Sequence, residues 1–316
     1  MSERMIKRVA IIGAGQMGSG IGAEFARFGY KVALQARHDE TLKHSIESIR
    51  EDLSLMMETE LISADEAKAA LSRIRTTKDM ADAVKDAGHV VESVPENLPL
   101  KQQVFAQLDE LCPPEVTLAT NSSALRADDC AAQAKHHPER ILITHYWYPA
   151  PFIPLVEVIG GKRTAPAILE RIAKLLQSMH KKVVLQKLEL PTGPAGWGNA
   201  LQHPMEDNAR KLVDEKGCEP RVVDDLIRFG FGRRLPFTAI FLRYDMIGLD
   251  FFYNAAKARG AEVWKPFKDR VERGETGMKS GKGFYDWPGD SAKQYLRHFN
   301  RELIHLMKQD MERGDI

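Results

Sequence analysis

Over the first 190 residues, short apolar runs alternate with segments of helical period, and then the alternation stops. Arg8-Val9-Ala10-Ile11-Ile12 is the kind of run a parallel strand buried on both faces carries. Gly13-Ala14-Gly15-Gln16-Met17-Gly18 follows at once, residues 21–28 take a helical period, and Lys31 to Ala36 form the next strand after Gly29-Tyr30. From Glu40 to Leu71 the pattern predicts two helices, the second opened by a capping box of Ser63 and Glu66. Further strands are expected at 73–77, 89–94, 116–120, 140–144, 154–161 and 182–186, with helices near 101–111 and 165–179. Pro191-Thr192-Gly193-Pro194 marks a break. Beyond it the pattern is helical near 199–216, 219–229, 237–258 and 262–273, followed by a glycine-rich loop and a last helix over 292–311. The expected architecture is α/β, a doubly wound, mostly parallel sheet over 1–190, followed by an all-helical domain over 191–316.

The glycine loop adds chemistry to that frame. G-x-G-x-x-G between a strand and a helix is the dinucleotide-binding turn of a Rossmann domain. Gly13 permits the tight turn, Gly15 admits a pyrophosphate against bare backbone, and Gly18 lets the helix approach the strand. Gln16 and Met17 open the helix, whose unpaired N–H groups and positive dipole end suit the same anion. The bland alternative is a glycine-rich turn that binds nothing. NAD is usually marked by an acid ~20 residues past the glycines. Here Ala36 takes that place and Arg37 follows, which favours NADP(H) through its 2′-phosphate; Asp39, close by, keeps NAD(H) open.

Bulk properties narrow the field. Among 316 residues, 45 Lys and Arg balance 44 acids, so nothing global points to nucleic acid or to an anionic membrane. No apolar run approaches the ~20 residues of a membrane span, and Met1-Ser2-Glu3-Arg4 lacks the core of a signal peptide. The 3 cysteines, Cys112, Cys130 and Cys218, have neither zinc-site spacing nor an even count, which suits a reducing cytoplasm.

Glu157 is the most informative residue outside the glycine loop. Alternation along its strand puts it on the face of Leu155 and Ile159, a carboxylate among apolar side chains. An unpaired charge there would cost several kcal/mol, so a partner is expected. His145, at the end of the preceding strand, is suitable. A carboxylate on one imidazole nitrogen fixes the tautomer and raises the basicity of the other, an arrangement for removing a proton from an alcohol as hydride leaves. The competing reading is a solvated edge-strand Glu and a histidine packed among aromatics.

The chain resembles the 3-hydroxyacyl-CoA dehydrogenase family over nearly its whole length, through VAIIGAGQMGSGI, VVESVPEN, ATNSSAL, THYWYPAPFIPLVEVIGG, PAGWGNAL and KSGKGFYDW in family order. The resemblance implies reversible oxidation of a 3-hydroxyl by a nicotinamide cofactor, and a helical C-terminal domain that often forms a homodimer. It assigns His145 as general base, Glu157 as the residue that orients it, and Ser123 and Asn199 as hydrogen-bond partners of the substrate oxygen. Glu96 and Lys101 are placed near the cofactor. Taken alone, Ser123 and Asn199 read first as helix caps.

Departures from the family bear on the substrate. Tyr148 stands where the family has Asn before Pro, and Pro194-Ala195-Gly196-Trp197-Gly198-Asn199-Ala200 replaces Pro-Gly-Phe-Ile-Val-Asn-Arg. Tyr148 and Trp197 therefore suggest a recast substrate pocket. Residues 40–72, which in the family help hold the nucleotide end of CoA, carry three Lys or Arg against eight acids, a poor match for phosphates. Phe229-Gly230-Phe231-Gly232-Arg233-Arg234 resembles a stretch of the carnitine and gulonate dehydrogenase branch, which acts on free hydroxy acids. Arg234 there is suited to a bidentate grip on a carboxylate, unless it is a surface arginine. A 3-hydroxy or 3-oxo acid is thus the expected substrate, with the acyl-CoA thioester second; Lys279 and Lys282 keep CoA open. No metal site is expected. The rival is a non-catalytic dinucleotide-binding protein on the same fold.

Overall fold

The computed structural model describes residues 6–316; the stretch Met1–Arg4 considered above lies outside them. Eight strands form one sheet: β1 (Arg8–Ile12), β2 (Lys31–Gln35), β3 (Ile74–Thr77), β4 (His89–Glu92), β5 (Thr117–Thr120), β6 (Ile141–Tyr146), β7 (Leu155–Gly160) and β8 (Lys182–Gln186). Their order is β3-β2-β1-β4-β5-β6-β7-β8. All neighbours run parallel except at β7, which lies antiparallel to β6 and parallel to β8. Connecting them are α1 (Gln16–Arg27), α2 (Asp39–Glu58), α3 (Ala64–Ser72), α4 (Met80–Val84), α5 (Leu98–Leu111), α6 (Ala127–Cys130) and α7 (Pro166–Ser178).

Period-2 alternation sends the strand side chains into two cores. Val9 and Ile11 of β1 pack with α1, α2 and α7 on one face, while Ala10 and Ile12 pack with α4 and α5 on the other. This is why β1 reads as an unbroken apolar run. The two helices after β2 form as expected, and α3 opens on the full reciprocal capping box of Ser63 and Glu66.

The chain divides into two compact units, through Met205 and from Glu206. The change of pattern at 191 and the change of packing at 205 do not coincide, because α8 (Trp197–Lys216) starts against the sheet. Gln186, fully buried at the end of β8, seats that start: its amide donates to Ala195 O at 3.0 Å and accepts from Trp197 N at 3.1 Å.

The second unit is helical but more broken than its periodicity predicts. α9 (Pro220–Asp225) passes into a wider turn at Leu226–Phe231, and α10 (Leu235–Thr238), α11 (Phe241–Ile247) and α12 (Leu249–Ala258) stand where one long helix was expected. Gly248, at φ 110°, separates the last two, a backbone state the right-handed helix excludes. α13 (Lys265–Glu272) and the long α14 (Ser291–Arg313) follow. Between them the glycine-rich loop is organised by Asp245, a buried carboxylate that accepts from Phe284 N, Tyr285 N and Trp287 Nε1 at 2.8, 2.9 and 2.9 Å. No helix among the described residues is long and apolar enough to cross a membrane.

Candidate active site

A cleft of about 580 Å³ opens at the carboxyl ends of the strands in the first unit, where ligands of open α/β sheets bind. Gly13, Gly15, Gln16, Met17, Arg37, Glu96, Lys101, Asn121 and Ser123 are among its lining residues. The glycine loop fits a dinucleotide. Gly13 has φ +102°, and a Cβ on it would fall 2.5 Å from Ser93 O; one on Gly18 would fall 1.9 Å from Gly13 O. Around Gly15 nothing lies within 4 Å, so its bare backbone faces open space at the start of α1. That start has no side-chain cap, which leaves the first N–H groups of α1 to an anion.

At the ribose end, Gln35 donates to Lys78 O and Ala36 is buried. Asp39 is engaged by Lys78 Nζ at 2.8 Å. Arg37 is exposed, with no protein partner among the described residues.

Beneath the cleft lies a carboxylate–ammonium pair, Glu92 and Lys101, both fully buried. Lys101 Nζ donates to Glu92 Oε1 at 2.7 Å and to Val94 O at 3.2 Å, and sits 3.3 Å from Glu96 Oε2. Thr120 Oγ1 and Val94 N donate to Glu92 as well. Ser122 Oγ and Ala124 N donate to Glu96. Those bonds outweigh its partial burial and hold its carboxyl below the usual range.

The second pair forms across the antiparallel step. His145 on β6 stands directly opposite Glu157 on β7, so both side chains leave the sheet on one face. His145 Nδ1 donates to Glu157 Oε2 at 2.8 Å, both residues being buried. Gly198 N donates to the other oxygen, Oε1, at 2.8 Å. Burial pushes the Glu157 carboxyl up, but the bonds from His145 and Gly198 pull harder, and the group is held below its ordinary value. An ionised carboxylate only accepts, so the proton between the pair sits on Nδ1. His145 Nε2 has no protein partner among the described residues and is left with a lone pair to offer. The Trp147 ring packs beside the imidazole, with centroids 5.2 Å apart.

Asn199 is buried and donates through Nδ2 to Ser123 O at 2.9 Å, tying the start of α8 to the loop after β5. Ser123 is exposed into the cleft and caps no helix; its neighbour Ser122 accepts from Leu125 N through Oγ, inside the loop that precedes α6. Tyr148 is exposed and accepts from Gln16 Nε2 at 3.0 Å; Trp197 is exposed at the first position of α8. Loop 147–154 is anchored from below by Lys181, a buried ammonium bonded to Ala150 O, Ile153 O and Glu24 of α1. In the second unit, Arg233 is tied to Asp310, whereas Arg234 is half-buried with no partner for its guanidinium among the described residues.

Three participants escaped the sequence reading: Glu92, Gln186 and the Gly198 amide. Glu92 carried a signal, a carboxylate closing the apolar strand His89-Val90-Val91, the same argument that singled out Glu157. The Gly198 amide carried none, since backbone donors leave no residue-type trace.

Comparison with known proteins gives the family. The model of the 3-hydroxyacyl-CoA dehydrogenase NAD-binding domain matches residues 8–188, and that of the family's C-terminal domain matches 197–287. A 3-hydroxyadipyl-CoA dehydrogenase of Escherichia coli (strain K12) is 31% identical over 89% of this chain, which spans only 59% of that protein. A probable 3-hydroxybutyryl-CoA dehydrogenase of Bacillus subtilis (strain 168) is 30% identical, over 89% of this chain and 98% of its own. The solved structure of 5-formyl-3-hydroxy-2-methylpyridine 4-carboxylic acid 5-dehydrogenase, described as an NAD+-dependent dismutase, superposes with TM-score 0.72 at 26% identity, covering 96% of this chain and 98% of that one. The chain belongs to the 3-hydroxyacyl-CoA dehydrogenase family of oxidoreductases, which act on a CH–OH group.

Proposed function

We propose that this chain is an NAD(P)-dependent dehydrogenase that interconverts a 3-hydroxy acid, or its CoA thioester, and the 3-oxo compound, with His145 as general base. The observation that carries the reading is the imidazole whose Nδ1 is bonded to an ionised, buried Glu157 while its Nε2 is free. Such a nitrogen accepts the hydroxyl proton, and the imidazolium that forms is balanced by the carboxylate beside it. The dinucleotide, bound along the glycine loop, supplies the hydride acceptor. Ser123 Oγ, and the N–H of Asn199 not spent on Ser123 O, are suited to donate to the substrate oxygen as charge develops there.

A free carboxylate is the favoured substrate over a thioester. The guanidinium of Arg234 is uncommitted, while Lys279 and Lys282, the residues that would favour CoA phosphates, are paired with Asp250 and Glu275. The relative that acts on a pyridine carboxylate points the same way. Tyr148 and Trp197 supply an aromatic lining for that substrate. For the cofactor, NADP(H) is preferred, because Arg37 is free at the place where Ala36 has replaced the ribose-binding acid. We further assign a homodimer through the second unit, where Phe251, Trp264, Ile304, Met307 and Met311 are exposed; size-exclusion chromatography with light scattering decides it.

The test of the activity is direct: NADPH and NADH fluorescence is followed on mixing with a panel of 3-oxo acids and 3-oxoacyl-CoA thioesters. Oxidation of the cofactor by at least one of them is expected. Cofactor binding with no turnover across the panel would leave a dinucleotide-binding protein without this chemistry.

A further inference from the structure

Gly198 occupies the second position of α8, a helical site that alanine fills better than glycine. Space accounts for the choice. A Cβ on Gly198 would lie 2.4 Å from Cζ2 of Trp147 and 2.8 Å from Oε2 of Glu157, the oxygen that holds His145. A Cβ on Gly196 would lie 3.0 Å from Oε1. The room left by the two glycines is taken by an indole and by the carboxylate. That indole has no polar anchor among the described residues: Trp147 Nε1 is buried without a hydrogen-bond partner, and the ring packs beside the imidazole.

Resting on the reading of His145 as the base, we propose that Gly198 is a positioning residue of the His145–Glu157 pair. Its amide fixes one oxygen of Glu157, and its bare Cα admits the Trp147 ring that backs the imidazole. Because Gln186 seats the backbone of residues 195–197, this N–H is aimed by β8 as much as by α8 itself. The start of α8 thus sets the carboxylate rotamer, and the carboxylate sets which imidazole nitrogen carries the proton.

The readout is the tautomer of His145, observed in the full chain by long-range 1H–15N NMR of the imidazole and assigned by its loss in His145→Ala. The wild-type ring is expected as the Nδ1–H form. Gly198→Ala is expected to populate the Nε2–H form and to lower turnover at least tenfold on whichever 3-oxo compound the panel identifies, with the KM for the cofactor unchanged. Trp147→Phe/Gly198→Ala, which removes the nearer of the two contacts and lets the new methyl group shift away from Glu157 Oε2, is expected to return both readouts toward those of Trp147→Phe alone. A wild-type tautomer in Gly198→Ala, or a double variant no better than the single one, would overturn the assignment. If Gly198→Ala does not fold, the double variant must fold and show the Nδ1–H form; failure of both overturns it equally. If the panel shows no turnover by wild type, the proposed activity falls, while the NMR comparison still decides the role of Gly198.

Discussion

Two buried carboxylates in the first unit, Glu92 and Glu157, each face a nitrogen at the end of a strand, and their surroundings differ in one respect. Around Glu92 every donor is spent: Lys101 points its ammonium at Glu92, Glu96 and Val94 O. Around Glu157 the count is left one short, because the imidazole gives one nitrogen to the carboxylate and keeps the other. A saturated pair holds a fold together, whereas an unsaturated one retains an acceptor for a proton from outside. Residue type does not separate them; leftover hydrogen-bonding capacity does.

Breaking each pair should therefore fail in different ways. His145→Ala is expected to cut turnover by about 10²–10⁴-fold while leaving folding and cofactor binding in place; single-turnover kinetics with cofactor titration checks it, and unchanged turnover would remove His145 from the mechanism. Lys101→Met should instead act on stability, costing about 3–5 kcal/mol by stranding Glu92. Urea unfolding measures this, and a loss below 1 kcal/mol would mean that Glu92 is not held as described.

Glu157→Gln sits between the two. An amide satisfies only one of the two donors, since the nitrogen that replaces the second oxygen meets another N–H, from His145 or Gly198. Turnover should fall roughly 10–100-fold, equivalent to the ~1.5–3 kcal/mol of a charged hydrogen bond. Arg37→Ala should lower kcat/KM for NADPH by about tenfold relative to NADH, on the same scale. Equal effects on both cofactors would defeat the NADP(H) preference.

The smallest effect is in pH. Glu157 titrates below its ordinary value of 4.5 in the folded chain. Its contribution to stability is therefore complete above that pH and is lost as pH falls through the lower folded value. Part of the wild-type loss of stability below about pH 4.5 should be missing in Glu157→Gln, as acid titrations of the two proteins would show.

Much of this was legible beforehand, for physical reasons that differ by region. The strands and the facing of His145 and Glu157 follow from period-2 alternation, a local property. The capping box of α3 is written in two residues three apart. What stayed hidden depends on distant backbone. Lys101 lines the cleft, but its bonds to Glu92 and Val94 O cannot be read from spacing, and the Gly198 amide has no side chain to betray it. The region 237–258 reads as one helix because apolar spacing survives the breaks at Ala239 and Gly248, which only their φ angles of 46° and 110° reveal.

The reversal of β7 has a consequence for how the reactive pair persists. A parallel strand would have had to return by a long crossover before offering its residue beside His145. The hairpin brings Glu157 there after only 12 residues. The span from His145 to Glu157 is thus short and contiguous, and the one distant connection among the described residues that still reaches the pair is that between β8 and α8, which carries the Gly198 amide to Glu157.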